Sequence, residues 1–218
     1  MKKAILFGAT GFIGSFLLQD LLNDESYDQV IAVVRKRLPV THPKLEMLIG
    51  DYATLPSMKE SLVGDDIFIS IGTTKNKTPD QDKYYEIDHD YPLLAATIAK
   101  ENGAKGVFLV SAVGANADSK IFYIRTKGET ERDIIALNFD HTHIFRPSML
   151  MGDRKNENRP LEKFMIGLFS VINPLFMGNL QKYRGIKGEE VAKAMLNAAK
   201  KPAGKVQVYE WKEMKELL

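Results

Sequence analysis

Apolar residues arrive along this chain in short runs, separated by stretches in which they recur every three or four positions. Lys3–Phe7, Val30–Val34, Leu45–Ile49, Ile67–Ile71, Val107–Val110 and His143–Arg146 read as strands. Most of these runs carry little polar alternation, as expected of strands covered on both faces. Between them, Ile13, Phe16, Leu17, Leu21 and Leu22 recur at helical spacing. A second helix is predicted from about Tyr84 to Asn102, with Leu93, Leu94, Ile98 and Ala99 on one side and Gly103 as its stop. A third is predicted over Phe122–Asn138, then a helix at Glu189–Lys200, a strand at Val206–Tyr209 and a last helix at Trp211–Leu218. Strands alternating with helices predict an α/β protein of Rossmann type: a doubly wound, mostly parallel sheet with helices on both faces. Residues 152–185 break the rhythm and read as a small irregular cap within a single domain spanning 1–218.

Composition narrows the function classes. The chain has 218 residues, 44% hydrophobic and 27% charged, enough for one domain with a sizeable core. A net charge of +2 gives no electrostatic case for nucleic acid or a membrane as partner. With no cysteine, disulfides, thiolate metal sites and cysteine nucleophiles are excluded. The start, Met1-Lys2-Lys3 followed by apolar residues, imitates a signal peptide, but Gly8, Gly11 and Gly14 interrupt it and Asp20 follows. The longest later apolar stretch, Phe164 to Gly178, contains Asn173 and Pro174 and is too short to span a bilayer. The expectation is a cytoplasmic protein.

Gly8-Ala9-Thr10-Gly11-Phe12-Ile13-Gly14 lies between the first strand and the first helix. In that context a GxxGxxG run reads as a dinucleotide cradle. Gly8 permits the tight turn, Gly11 lets a pyrophosphate approach the backbone, and Gly14 lets helix and strand pack closely. The helix N-terminus then offers free N–H groups to the phosphates. The end of the second strand selects the dinucleotide. An acidic residue there would bind a ribose 2′-OH; this chain has Arg35-Lys36-Arg37, which suits a 2′-phosphate. The cofactor expected is therefore NADP(H) rather than NAD(H), with Asp51 and Tyr52 after the third strand at the adenine edge.

Tyr-x-x-x-Lys occurs twice. Tyr123 and Lys127 open a predicted helix and share one face of it, and Ser111 ends the strand before. Tyr183 and Lys187 enclose Gly185 and have no such serine, so that pair reads as a decoy. The first set suits hydride chemistry. A carbonyl that receives hydride needs a proton, Tyr123 can supply it, and an adjacent Lys127 ammonium should lower the phenol pKa. Ser111 would hold the substrate oxygen.

These segments together resemble the atypical short-chain dehydrogenase/reductase family, in particular its Tat-interacting-protein-like NAD(P)-binding oxidoreductases. The resemblance rests on GATGFIG, VVRKR, SIGTT, FLVSAVGA, YIRTKGETE, FRPSMLMGDR and NRP, and covers nearly the whole chain. It implies an NADP(H)-binding Rossmann fold with Ser111, Tyr123 and Lys127 as the catalytic set. It also implies cofactor contacts from Gly8, Thr10, Gly11, Phe12, Ile13, Gly14, Arg35, Ile71, Gly72, Thr73 and the Arg146-Pro147-Ser148 turn, with Lys127 on the nicotinamide ribose. One position departs from the family pattern: Asp88 stands where many relatives carry the asparagine that completes a proton relay.

Other signals are weaker. His141 and His143 face the same side of a strand, but no third ligand is evident, and no metal is expected. Asp88-His89-Asp90 reads as a solvated helix turn. Phe164, Met165, Phe169, Phe176 and Met177 read as core or as the apolar wall of a substrate pocket. The expected function is an NADP(H)-dependent oxidoreductase that reduces a carbonyl or oxidises an alcohol of a small, apolar substrate. Two alternatives stay open: a non-catalytic NADP(H)-binding redox sensor acting on a protein partner, and a nucleotide-sugar epimerase or dehydratase.

Overall fold

The structure is a computed structural model that describes residues 1–152 and 178–218. The residues read from sequence as a pocket wall, Phe164, Met165, Phe169, Phe176 and Met177, lie outside the described residues, as does most of the cap.

Seven parallel strands form one sheet in the order β3-β2-β1-β4-β5-β6-β9. They are β1 (Lys2–Phe7), β2 (Tyr27–Val34), β3 (Leu45–Ile49), β4 (Asp66–Ile69), β5 (Gly106–Val110), β6 (His141–Phe145) and β9 (Val206–Tyr209). Two short strands, β7 (Leu150–Met151) and β8 (Ile186–Lys187), pair separately. The helices are α1 (Phe12–Asn23), α2 (Gln81–Tyr85), α3 (Tyr91–Glu101), α4 (Phe122–Ala136), α5 (Gly188–Lys200) and α6 (Trp211–Glu216). No helix among the described residues is long and apolar enough to cross a membrane.

The alternating direction of strand side chains divides the core in two. Ala4, Leu6, Val30, Ala32, Phe68, Phe108 and Phe145 pack with Leu17 and Leu21 of α1 and Val191 and Met195 of α5. Ile5, Phe7, Ile31, Ile67, Val107 and Leu109 pack on the other face with Ala95 and Ala99 of α3 and Ile134 of α4. Each fully buried aliphatic side chain contributes roughly 1.5–3 kcal/mol of hydrophobic free energy, so both layers are needed. Strand order runs outward from β1 in one direction and from β4 in the other. This is the topological switch at which open α/β sheets bind ligands.

The sequence placed most elements within a few residues. It extended β4 to Ile71, whereas β4 stops at Ile69 and Ser70–Thr73 is free to form a loop. It also drew one helix from Tyr84, where the structure has three pieces. Asp80 caps α2 by accepting from the Lys83 N–H. A π turn covers Glu86–Asp90, and α3 follows. Pro92 supplies the physical reason. It has no N–H to return to the Asp88 carbonyl four residues back, and the Tyr91 N–H reaches instead to Glu86, five residues back. The freed Asp88 carbonyl accepts the Thr130 hydroxyl of α4 at 2.9 Å.

Across the sheet runs a row of rings in which Phe108, His143 and Tyr209 stack. His143 is fully buried, and its Nδ1 meets the Tyr209 hydroxyl at 2.8 Å. Burial holds its imidazole down at about 4, with His141 adding a smaller push in the same direction. Below the ordinary histidine value the unfolded chain takes up a proton that the native chain refuses, so stability falls as pH drops from about 6.5 towards about 4. From pH 7 to pH 5 the loss expected from this residue is about 2 kcal/mol. Urea melts of His143→Phe should show a flatter acid limb than the unmodified protein; identical limbs would count against this account.

Candidate active site

The loop that leaves β1 is shaped by contacts only glycine permits. Gly8 has φ +89°, and a Cβ on it would fall 2.6–2.7 Å from Ser70. A Cβ on Gly14 would fall 2.1 Å from the Gly8 carbonyl oxygen. The Gly11 N–H donates to that same carbonyl at 2.8 Å, and no side chain caps α1 at Gly11. The first turn of α1 therefore meets the switch point, flanked by the exposed Thr10. Ile13 is buried beneath, and the Phe12 ring sits where a Cβ on Gly152 or on Gly188 would strike it.

Beside this loop, Arg35, Lys36 and Arg37 are exposed just past β2. Asp51 follows β3, and its carboxylate accepts the Thr54 N–H and hydroxyl, which holds it below the usual carboxylate range. The Tyr52 ring lies 5.8 Å from Tyr91. Burial and the Asp51 charge push the Tyr91 phenol up to about 12, and Arg35 opposes them. Arg35, Asp51, Tyr52 and Tyr91 thus gather at one end of the sheet next to the glycine loop.

At the C-terminal end of β5, Ser111 donates its N–H to the Phe145 carbonyl at 2.7 Å. Its hydroxyl is buried and has no hydrogen-bond partner among the described residues. α4 is pressed against the segment that follows, since a Cβ on Gly128 would fall 2.1 Å from the Ala117 nitrogen. This fixes the face carrying Tyr123, Lys127 and Glu131 at successive turns. Lys127 is buried, and its Nζ lies 2.6 Å from Asp88 Oδ1, a close ion pair whose direction departs from ideal hydrogen-bond geometry. The other Asp88 oxygen accepts the Thr73 N–H at 2.7 Å, and Gly72 lies over both Asp88 and Lys127. Glu131 forms a bidentate pair with Arg146 at the end of β6. Ile71 is half-buried against the α3 side of the core. The Pro147 carbonyl accepts the Val113 N–H, and the Ser148 hydroxyl is turned to the Tyr183 carbonyl at 3.0 Å.

Two sequence expectations need correction here. Lys127 does not bring the Tyr123 phenol below its ordinary value. The buried part of its side chain raises it, the Lys127 ammonium lowers it, Asp88 raises it again, and the net direction is upward. Burial also works against the Lys127 charge, but Asp88, Tyr123 and Glu131 outweigh it and hold the ammonium above its ordinary value. Secondly, Asp88-His89-Asp90 is not a solvated turn. Asp88 is 1% exposed and His89 6%. His89 bridges Asp90 and Asp133, while Asp88 belongs to the site. The signal that marks this turn in the sequence is Pro92, four residues on. Of the second Tyr-x-x-x-Lys pair, Tyr183 ends a 3₁₀ turn and Lys187 lies on β8 paired with Glu189, so no helix aligns them. His141 and His143 direct their Nδ1 atoms to the Gly204 carbonyl and to Tyr209.

A family model described as NAD(P)H-binding matches residues 8–202. Among curated proteins, the chain is 38% identical over 207 residues to "Protein FMP52, mitochondrial" of Candida glabrata, covering 94% of this chain and 88% of that one. It is 32% identical over 214 residues to the Saccharomyces cerevisiae protein of the same name, covering 94% and 91%. These names overturn the expected cytoplasmic location, which rested on the lack of a leader pattern in the sequence. Among solved structures, UDP-glucose 4-epimerase from Thermotoga maritima has a TM-score of 0.71 at 17% identity, covering 98% of this chain and 82% of that one. MoeE5 in complex with UDP-glucose and NAD has a TM-score of 0.69 at 18% identity, covering 95% and 76%. At such identities the likeness shows the shared Rossmann fold. Glycine cradle, switch-point position, family match and curated relatives agree: the chain belongs to the NAD(P)H-binding family.

Proposed function

We propose that this chain is an NADP(H)-dependent oxidoreductase of the atypical short-chain dehydrogenase/reductase kind, acting on the carbonyl or alcohol of a small molecule. The observation that carries this reading is the buried Ser111 hydroxyl at the C-terminal end of β5, which has no hydrogen-bond partner among the described residues, together with the buried Lys127–Asp88 pair. A buried hydroxyl loses free energy unless a ligand completes it. A fold that merely senses its cofactor has no need of a phenol and a buried ammonium one turn apart. The residues fit a dinucleotide: Gly8 and Gly14 hold a tight turn that a Cβ would break, directly before the N-terminus of α1.

In this reading Gly8, Thr10, Gly11, Phe12, Ile13 and Gly14 hold the pyrophosphate. Arg35, Lys36 and Arg37 hold the 2′-phosphate, and Asp51 and Tyr52 border the adenine. Ile71, Gly72, Thr73, Lys127, Pro147 and Ser148 flank the nicotinamide end. When bound, the reduced nicotinamide supplies the hydride. Ser111 donates a hydrogen bond to the carbonyl oxygen and so fixes it. Tyr123 transfers its phenolic proton to that oxygen, and the Lys127 ammonium stabilises the phenolate left behind. Water re-protonates Tyr123 from solvent, to which it is 42% exposed.

The decisive experiment titrates NADPH and NADH by fluorescence, then follows NADPH absorbance over a panel of small aldehydes and ketones. Tighter NADPH binding with turnover of any member supports the proposal; binding without turnover across the panel favours the sensor. Arg35→Asp should weaken NADPH roughly ten- to hundredfold, the worth of one charge-assisted hydrogen bond, and leave NADH much less affected. Equal affinities of the unmodified protein for both cofactors would defeat the 2′-phosphate assignment.

A further inference from the structure

Tyr123 donates a proton in the proposed reaction, and Asp88 is a buried charge of the same site with no part in that transfer so far. A buried ammonium beside a phenol draws the proton off it, which suits a base. Here that ammonium does not act alone. Asp88, 1% exposed, sits against Lys127 and also accepts the Thr73 N–H. The π turn and Pro92 aim its side chain inward, and its own carbonyl is taken by Thr130.

We infer that Asp88 is a positioning residue that keeps Tyr123 a proton donor: its carboxylate fixes Lys127 and offsets the ammonium charge, so the phenol retains its proton until a substrate oxygen takes it. This rests on the reading of Tyr123 as the proton donor. It deepens that reading by giving the site a direction, carbonyl reduction in preference to alcohol oxidation. In the reduction, hydride goes from NAD(P)H to the carbonyl carbon and the phenolic proton to its oxygen. The products are an alcohol, NAD(P)⁺ and a phenolate that water re-protonates.

The other charges around the phenol are accounted for. Among the described residues, Tyr84 of α2 faces Tyr123 as a phenol raised by burial and by Asp88. Glu131 of α4 is neutralised by Arg146 from β6. His89, next to Asp88, is committed to Asp90 and Asp133. Among the described residues, Asp88 and Lys127 are left as the pair that sets the field at Tyr123, in agreement with the opposing pushes they exert on its phenol.

The test is a pH titration of protein carrying ¹³Cζ-labelled tyrosine, followed by NMR, with the Tyr123 resonance assigned by its disappearance in Tyr123→Phe. Asp88→Asn keeps the shape and removes the charge. Its Tyr123 resonance should titrate about one pH unit or more to the acid side of the unmodified protein. The pH profile of alcohol oxidation should move the same way, and Asp88→Glu should restore both. If Asp88→Asn does not fold, Asp88→Ser is read in its place. An unmoved Tyr123 titration in a folded neutral variant overturns the role of Asp88 while leaving Tyr123 as donor. Full turnover by Tyr123→Phe overturns the donor reading, and the inference with it.

Discussion

Tyr123→Phe is expected to lower turnover on any substrate the protein accepts by about 10²- to 10⁴-fold, the usual worth of a general acid, with NADPH affinity within about twofold of the unmodified protein. The ring that packs at the start of α4 stays, and only the hydroxyl goes. Glycine cradle, basic turn and Lys127–Asp88 pair are untouched. Steady-state rates and a fluorescence titration of NADPH on the same preparation separate the two effects. Tyr183→Phe is the control: its ring lies on a different element and should leave the chemical step unchanged. Equal turnover by Tyr123→Phe and the unmodified protein would remove Tyr123 from the mechanism.

The second large effect is expected at Gly14. An alanine there places a methyl 2.1 Å from the Gly8 carbonyl oxygen and 2.6 Å from the Ser70 hydroxyl. The backbone of the loop must move, and overpacking of this kind costs about 1–3 kcal/mol or more. The same shift would withdraw the α1 amide groups from a pyrophosphate held as proposed above. Losing one charge-assisted hydrogen bond alone weakens binding roughly ten- to hundredfold. Gly14→Ala should therefore lower the thermal midpoint and abolish measurable NADPH binding at micromolar cofactor. Unchanged binding would mean that the cradle does not hold the phosphates.

Much of this was legible in the sequence because it follows from local rules. Apolar runs such as Ile67–Ile69 can only be buried strands, and three glycines between a strand and a helix leave little choice of conformation. Tyr123 and Lys127 are four apart on a helix, a spacing that needs no tertiary knowledge. The resemblance points to Asp88 as a site position, but the burial of its turn is hidden for the opposite reason. Alone, Asp-His-Asp is a polar triplet with every mark of an exposed turn, and its burial depends on Lys127 and Thr130 from an element forty residues away. The sign of the Tyr123 shift is hidden for the same cause: a sequence shows the neighbouring ammonium but neither the burial nor the carboxylate that outweigh it. Pro92 was a local clue, since it predicts a broken hydrogen-bond ladder at residue 88.

The buttressing of the first helix also bears on how the chain is made. α1 and the glycine loop come from the first two dozen residues, yet the face of α1 is covered by α5, and Phe12 packs on Gly188. Lys2 reaches the Ala199 carbonyl, and Asp24 pairs with Lys200. A ribosome delivers these partners only 176 to 197 residues later. During synthesis the apolar side of α1 must wait uncovered, and non-local closure of this kind is slow. The glycine loop is thus translated long before the partners that make it rigid. A cofactor can stabilise the finished protein by mass action, but it has little to grip on a nascent chain.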